Sequence, residues 1–147
     1  MSTNPFVGTW RLVSAEMKTA SGEVSPLFGK GTSGCLMYGE DGYMSATLME
    51  SGRVSFANPD LRTGSKDDKV AAFDTYIAYC GTYEVMGDRV VHHTEMSLFP
   101  NSCGTDQVRF YEFAGDQLTL RTPPILWDGV NRTAELVWRR AAPRARL

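Results

Sequence analysis

Residues 79–99, YCGTYEVMGDRVVHHTEMSLF, contain two β-prone runs on either side of Gly87-Asp88. The runs cover residues 79–86 and 89–99, and both are rich in Val, Tyr, Thr and Met. A two-residue connection that includes glycine tolerates positive φ and joins its flanking strands antiparallel. This stretch therefore predicts a tight β-hairpin.

The same pattern continues through the rest of the chain. Six further β-prone runs are separated by Gly, Asp, Asn and Pro, and they cover residues 7–17, 34–39, 42–50, 105–113, 117–121 and 132–139. Nearly every run is joined to its sequence neighbour, and closing such a meander removes its exposed edges. Eight strands also leave room for one small ligand. We therefore predict an all-β fold, an eight-stranded antiparallel up-and-down barrel.

Residues 65–78 have a different pattern. Val70, Phe73, Tyr76 and Ile77 recur at helical spacing behind the acidic start Asp67-Asp68. This spacing predicts one short amphipathic α-helix that covers a sheet edge or the barrel mouth. The long polar loop ahead of it, residues 51–64, is typical of a lid.

The composition excludes several classes of function. A chain of 147 residues with 42% hydrophobic residues predicts one domain, spanning residues 1–147. The net charge of −2 supplies no basic field for nucleic acid. No run approaches the ~20 apolar residues of a membrane span, and the first residues lack a leader pattern, so we expect no membrane partner and a cytoplasmic protein.

Several motifs resemble those of a known family. Gly8-Thr9-Trp10, with Arg139 and Arg140 ending the last strand, resembles the lipocalin signature, in which the Trp plugs the closed barrel end and an Arg packs over it. A wider match, GTWRLVS, YGEDGYMSATL, YCGTYEV, HHTEMSLFPNSCGTDQVR and LVWRR, is similar to the small lipocalin-like domain proteins of bacteria and fungi. The resemblance implies an eight-stranded barrel and a soluble intracellular protein. Distant relatives include carriers and also cyclases or isomerases of natural-product pathways, so no single reaction is implied.

The two histidines of the chain are adjacent, His92 and His93. On a regular strand His93 and Glu95 share one face, and His92 lies on the other, so these groups cannot converge on a metal. We expect Val90, His92, Thr94, Met96 and Leu98 to face inward, because that set is the more apolar one. His92 is then either a general acid or base, or a structural histidine bonded to a neighbouring Tyr or Ser.

Other side chains near the middle of predicted strands are candidates for ligand contacts. Arg109 inside the barrel would need an anionic partner, either a glutamate (Glu84 or Glu112) or the ligand, because an unpaired buried charge is costly. The alternative places Arg109 in an ion pair on the outer face. The predicted ligand-binding residues are Tyr43, Ser45, Tyr83, Thr94, Met96 and Tyr111.

The leading functional hypothesis is binding of a small, largely apolar molecule of the polyketide or terpenoid kind, without metal or organic cofactor. The first alternative is a cofactor-independent cyclase or isomerase, with His92 exchanging a proton and Arg109 or a tyrosine stabilising the developing negative charge. The second is a structural or interaction module with a filled barrel. Ile125 and Trp127 either cap the cavity or form the contact of a homodimer.

Overall fold

A computed structural model describes residues 3–145. The strands in this range form one antiparallel sheet that closes on itself. Eight long strands make the barrel, and two strands of three residues, β2 and β9, flank its seam. The strands are β1 Gly8–Thr19, β2 Val24–Pro26, β3 Thr32–Tyr38, β4 Tyr43–Glu50, β5 Tyr76–Met86, β6 Arg89–Ser97, β7 Asp106–Ala114, β8 Gln117–Arg121, β9 Ile125–Trp127 and β10 Val130–Arg140. The single-domain prediction for residues 1–147 extends beyond the described range at both ends.

The seam lies between the first and last long strands. β1 pairs with β10 from Trp10 opposite Arg140 to Thr19 opposite Arg132. Each of the other long strands pairs with the next long strand along the chain. The short strands β2 and β9 pair with β1 and β10 instead of joining this series. The eight-stranded antiparallel up-and-down barrel is therefore confirmed.

The three predicted hairpins are present. Met86 pairs with Arg89 across Gly87, Ala114 pairs with Gln117 across Gly115, and β3 pairs with β4 beyond residues 39–42. Gly87 and Gly115 have φ of 68° and 61°, a region that L side chains rarely adopt. Local turn chemistry thus sets these registers.

The helix is shorter than predicted and is not amphipathic. α1 spans Lys66–Asp74, and the Ser65 hydroxyl caps it by accepting from the Asp68 amide at 3.1 Å. None of the nine residues of α1 is buried, so Val70 and Phe73 do not form a packed face. Residues 76–78 begin β5 instead, because they pair with β4. The helix lies beside the open end of the barrel, where β4 ends and β5 begins.

An aromatic plug fills the closed end. Trp10 is fully buried, and its indole N–H donates to the Phe6 carbonyl at 2.9 Å. The Arg140 guanidinium lies 4.2 Å from the centre of the Trp10 ring and donates to the carbonyls of Val7 and Pro5, both at 2.6 Å. The Trp and Arg arrangement that the resemblance implied is therefore present, with Arg140 rather than Arg139 over the ring.

A bulge interrupts β6 and changes which side chains face inward. The register with β5 shifts between Cys80 and Gly81, so that Gly81 opposes Thr94 and Cys80 opposes Met96. Residues beyond the bulge reverse their faces, and Met96 is 64% exposed. The prediction that Met96 and Leu98 face the interior is therefore wrong, because both side chains are exposed.

The connection before β10 packs inward. Ile125 and Trp127 are partly buried against the core, and the Trp127 ring centre is 6.4 Å from that of Phe28. Leu126, between them, is exposed. This packing favours a cap over a dimer contact, and the homodimer remains a prediction. Within residues 3–145, no helix is long and apolar enough to span a membrane.

Candidate functional site

His92 lies inside the barrel between two tyrosines from other strands. The hydroxyl oxygen of Tyr38, on β3, is 2.7 Å from His92 Nε2, and that of Tyr79, on β5, is 2.7 Å from His92 Nδ1. Only 1% of His92 is exposed. The inward prediction for His92 is thus correct, and the buried imidazole has a hydroxyl at each ring nitrogen.

Burial keeps the imidazole neutral. Desolvation, followed by the charge of Arg109, lowers the pKa of His92 to about 3. Burial also raises the pKa of Tyr38 and of Tyr79, so both remain phenols. A neutral imidazole has one donor and one acceptor, and it therefore accepts from one tyrosine and donates to the other. The tyrosine that accepts this bond keeps its own O–H hydrogen for another acceptor.

Arg109 faces the same interior space. It lies on β7 in the alternating set that includes Tyr111 and Phe113, both packed against the core. Its charge partly opposes the rise that burial causes in the pKa of Tyr79, and it adds to the fall that burial causes in the pKa of His92, so the guanidinium lies close to both. Its guanidinium donates to the Val108 carbonyl at 2.8 Å and to Gln107 Oε1 at 3.3 Å. Arg109 therefore lies on the inward set of β7 and not in an ion pair on the outer face, and its role in a site stays a prediction.

Neither of the two glutamates predicted as partners of Arg109 contacts it, so that prediction is wrong. Glu84 bonds His93 on the outer face, and Glu112 bonds Arg121 there. Among residues 3–145, no carboxylate oxygen lies within 4.0 Å of the Arg109 guanidinium. Only neutral oxygens satisfy this half-buried cation.

Thr94 follows His92 on the inward face of β6. It is 3% exposed, and its hydroxyl has no hydrogen-bond partner among the described residues. Such an atom is unusual, because most buried side-chain polar groups are bonded. Thr94 therefore brings an unused donor and acceptor to the inward face of β6, two residues after His92.

Four other predicted ligand residues lie elsewhere. Tyr43 is 59% exposed and Ser45 is also exposed, because Met44 and the alternate residues after it fill the inward face of β4. Tyr83 is buried, but its hydroxyl donates to the Gly39 carbonyl at 2.8 Å and accepts from Asn4 at 3.1 Å.

Tyr111 belongs to the closed end. Its hydroxyl donates to the Gly87 carbonyl at 2.6 Å, and its ring centre is 4.9 Å from that of Phe6. Tyr111 and Tyr83 thus hold turns in place, with their hydroxyls already engaged. The predictions of Tyr43 and Ser45 as interior contacts are wrong because they face outward.

Sequence reasoning missed three interior residues, Tyr38, Tyr79 and Arg132. Strand alternation could have placed each on the inward face. Their proximity to His92, or to the mouth, depends on which strands pair and in what register, and no local motif specifies that.

The outer face of β6 carries a separate charged cluster. His93 Nδ1 is 2.7 Å from Asp106, and His93 Nε2 is 2.9 Å from Glu84. These two carboxylates raise the pKa of His93. His92 and His93 lie on opposite faces, as predicted, and no three His, Cys, Asp or Glu side chains within residues 3–145 are grouped to hold a metal.

A depression of about 450 Å³ lies between the loop 51–64, α1 and the end of β4, and neither His92, Thr94 nor Arg109 lines it. Arg53 fastens this loop to the helix, because it donates to Thr75 Oγ1 at 3.0 Å and to the Ala72 carbonyl at 3.1 Å. A second depression of about 450 Å³ lies at the closed end beside Phe6 and Tyr83. The role of the loop as a lid stays a prediction.

Comparison with known proteins gives three results. A family model described as a lipocalin-like domain matches residues 7–141. The chain is 32% identical over 106 residues to the 4'-hydroxy-3'-methoxypropiophenone carrier protein ppsC of Aspergillus oryzae (strain ATCC 42149 / RIB 40). The aligned region covers 66% of this chain and 96% of that protein. A crystal structure of a lipocalin-like protein from Bacteroides uniformis ATCC 8492 aligns with 94% of this chain and 100% of that chain, with a TM-score of 0.47 and 14% identity.

Proposed function

We propose that this chain, which belongs to the lipocalin-like domain family, binds one small, largely apolar molecule inside its barrel. Thr94, Arg109 and the tyrosine hydroxyls around His92 would hold a polar group of that molecule. Apolar side chains toward the mouth, among them Leu48 and Trp127, would contact the rest of it.

The unpartnered hydroxyl of Thr94 is the observation that carries this proposal. A buried hydroxyl without a partner destabilises the folded protein, and a ligand oxygen beside it would remove that cost. The neighbouring His92 and its tyrosines have one O–H hydrogen left for an acceptor in either tautomer. A carbonyl or hydroxyl group on the ligand fits these donors.

The relative ppsC supports the same class of ligand. Its named cargo is an aryl ketone that also carries a phenolic hydroxyl, so it combines an apolar ring with polar oxygens. We propose an aromatic or polyketide-like molecule as the ligand here, held without metal or organic cofactor and in the cytoplasm.

Replacing Thr94 by Val tests the proposal, because valine has the same shape without the hydroxyl. We expect Thr94→Val to raise the free energy of unfolding by about 1 kcal/mol and to weaken binding of 4'-hydroxy-3'-methoxypropiophenone by about fivefold to tenfold. Urea unfolding gives the first value. Displacement of the neutral dye N-phenyl-1-naphthylamine gives the second.

Thr122→Val is the matched control. Thr122 is also buried, but its hydroxyl accepts from the Ala134 amide at 2.8 Å, so losing it should lower stability. If Thr94→Val left both stability and ketone binding unchanged, the role of Thr94 would be lost. If the dye did not bind the wild-type protein at all, the barrel would be filled and the binding function itself would fail.

The geometry favours binding over catalysis. A general base works best with a pKa near the working pH, and the pKa of His92 is about 3. Both ring nitrogens already have hydroxyl partners, and no carboxylate orients the ring. We therefore keep the cyclase or isomerase as the second hypothesis.

A further inference from the structure

We infer that the bound molecule is an organic acid whose carboxylate pairs with arginine inside the barrel. This inference rests on the proposed binding function and narrows it to one ligand class. Two arginines on inward-facing positions carry it, Arg109 in the middle of the barrel and Arg132 nearer the mouth.

Arg109 is a cation among neutral groups. Its hydrogen-bond acceptors are a backbone carbonyl and the Gln107 amide oxygen, and its neighbours Tyr79 and His92 stay uncharged. Removing a guanidinium from water without a counter-ion is costly. A ligand carboxylate would compensate that charge, and a neutral ligand would not.

Arg132 has a similar environment. It lies on β10, which is two strands from β7 in the sheet, and it pairs with Thr19 of β1 and Ile125 of β9. It shares the inward face of β10 with Ala134 and Trp138. Its Nη1 donates to Ser25 Oγ at 3.3 Å, and its Nε is buried with no partner among the described residues. A buried guanidinium N–H without an acceptor is a second unmet hydrogen-bond donor that faces the interior.

Three outer arginines, Arg89, Arg121 and Arg139, have carboxylate partners. Arg121 contacts Glu112 and Glu135, and Arg89 contacts Asp88, all on the surface. Arg109 and Arg132 belong to none of the six ion pairs found among residues 3–145. The carboxylates that pair with arginine within residues 3–145 thus lie on the surface, and none of them lies beside Arg109 or Arg132. The interior keeps a positive charge that an acid can use.

The chemistry of the lining indicates a carboxylic acid with an apolar body. Guanidinium pairs with carboxylate through two parallel N–H···O bonds, and charge-assisted bonds of this kind are the strong ones. Thr94 and the tyrosines can bond the same oxygens, and the remaining inward side chains are mainly apolar. A small multiply charged metabolite would leave that apolar surface unmatched.

Two dyes with the same ring system test the inference. N-Phenyl-1-naphthylamine is neutral, and 8-anilino-1-naphthalenesulfonate adds one anionic group to it. We expect the wild-type protein to bind the anionic dye at least tenfold more tightly at pH 7 and low salt. Arg109→Leu and Arg132→Leu should each lower this affinity ratio about tenfold. 4-Phenylbutyrate should displace the anionic dye at concentrations at least tenfold below those of 4-phenylbutan-1-ol.

The surface variant Arg121→Leu is the control, and it should keep the wild-type ratio. Circular dichroism checks that each variant is folded, and Arg132→Gln replaces Arg132→Leu if the latter unfolds. If the neutral dye binds and the ratio stays near one, or if neither interior variant changes the ratio, the ligand is not an acid and the proposed binding function stands. If neither dye binds the wild-type protein, the binding function fails and the inference fails with it.

Discussion

The neutral state of buried His92 makes a quantitative prediction about acid stability. The pKa of this imidazole falls from its ordinary 6.5 to about 3 in the folded protein, and the unfolded chain has the ordinary value. Below pH 6.5 the unfolded state takes up a proton that folded His92 refuses, so stability falls as the pH falls. The loss begins near pH 6.5 and is complete near pH 3.

The size of this effect follows from the two pKa values. Each pH unit within this interval costs about 1.4 kcal/mol, so His92 alone removes about 2 kcal/mol between pH 7 and pH 5. His92→Gln keeps a donor and an acceptor for the two tyrosines but does not titrate. We expect wild-type protein to lose about 2 kcal/mol more than His92→Gln over this range, measured by urea unfolding with tryptophan fluorescence.

His93 supplies a control of opposite sign on the next residue. Its carboxylate partners raise its pKa, so its stabilising contribution is present below pH 6.5 and is lost as the pH rises through its folded pKa. Wild-type protein should therefore gain stability relative to His93→Gln as the solution is acidified. NMR titration of both imidazoles gives an independent measurement. Titration of His92 near pH 6, or equal acid losses in wild-type protein and His92→Gln, would refute the reasoning.

Two further predictions concern the frame around the site. Gly81→Ala should destabilise the protein by roughly 2–4 kcal/mol in urea unfolding, because a Cβ there would collide with the His93 carbonyl oxygen; a loss below about 1 kcal/mol would show that the bulge can relax. Arg140→Gln should cost about 1–2 kcal/mol, since it removes the guanidinium over Trp10 and two bonds to backbone carbonyls. Arg139→Gln loses only an exposed contact with Asp116 at 3.8 Å, so its free energy of unfolding should stay within about 0.5 kcal/mol of the wild-type value. Equal losses of stability in the two variants would contradict the role of Arg140.

Much of the barrel follows from local sequence. The hairpins at Gly87 and Gly115 need positive φ at glycine, and that requirement is visible without any partner strand. Alternation along β6 correctly places Val90, His92 and Thr94 inside. The plug at the closed end was implied by the resemblance of Gly8-Thr9-Trp10 and Arg139-Arg140 to the lipocalin signature, and Trp10 is buried there.

The predictions that failed concern residues whose structure is set by pairing with another strand and not by the local spacing of apolar residues. Residues 76–78 continue an apolar spacing that suits a helix, yet pairing with β4 makes them strand. Met96 should face inward by alternation, but the bulge at Gly81 reverses the strand beyond Thr94. The short strands β2 and β9 exist because β1 and β10 extend past the barrel rim and accept them.

The turns and the pairing of neighbouring long strands follow from the sequence by itself, because they depend on residues close together in the chain. Closure of the barrel was predicted from a different argument, the removal of exposed sheet edges. Only the tertiary structure decided the site. The contacts of Tyr38 and Tyr79 with His92, and the absence of a carboxylate near Arg109 within residues 3–145, follow from the register of strands distant in sequence. Register sets which side chains meet across the interior, and the burial that results sets their charge.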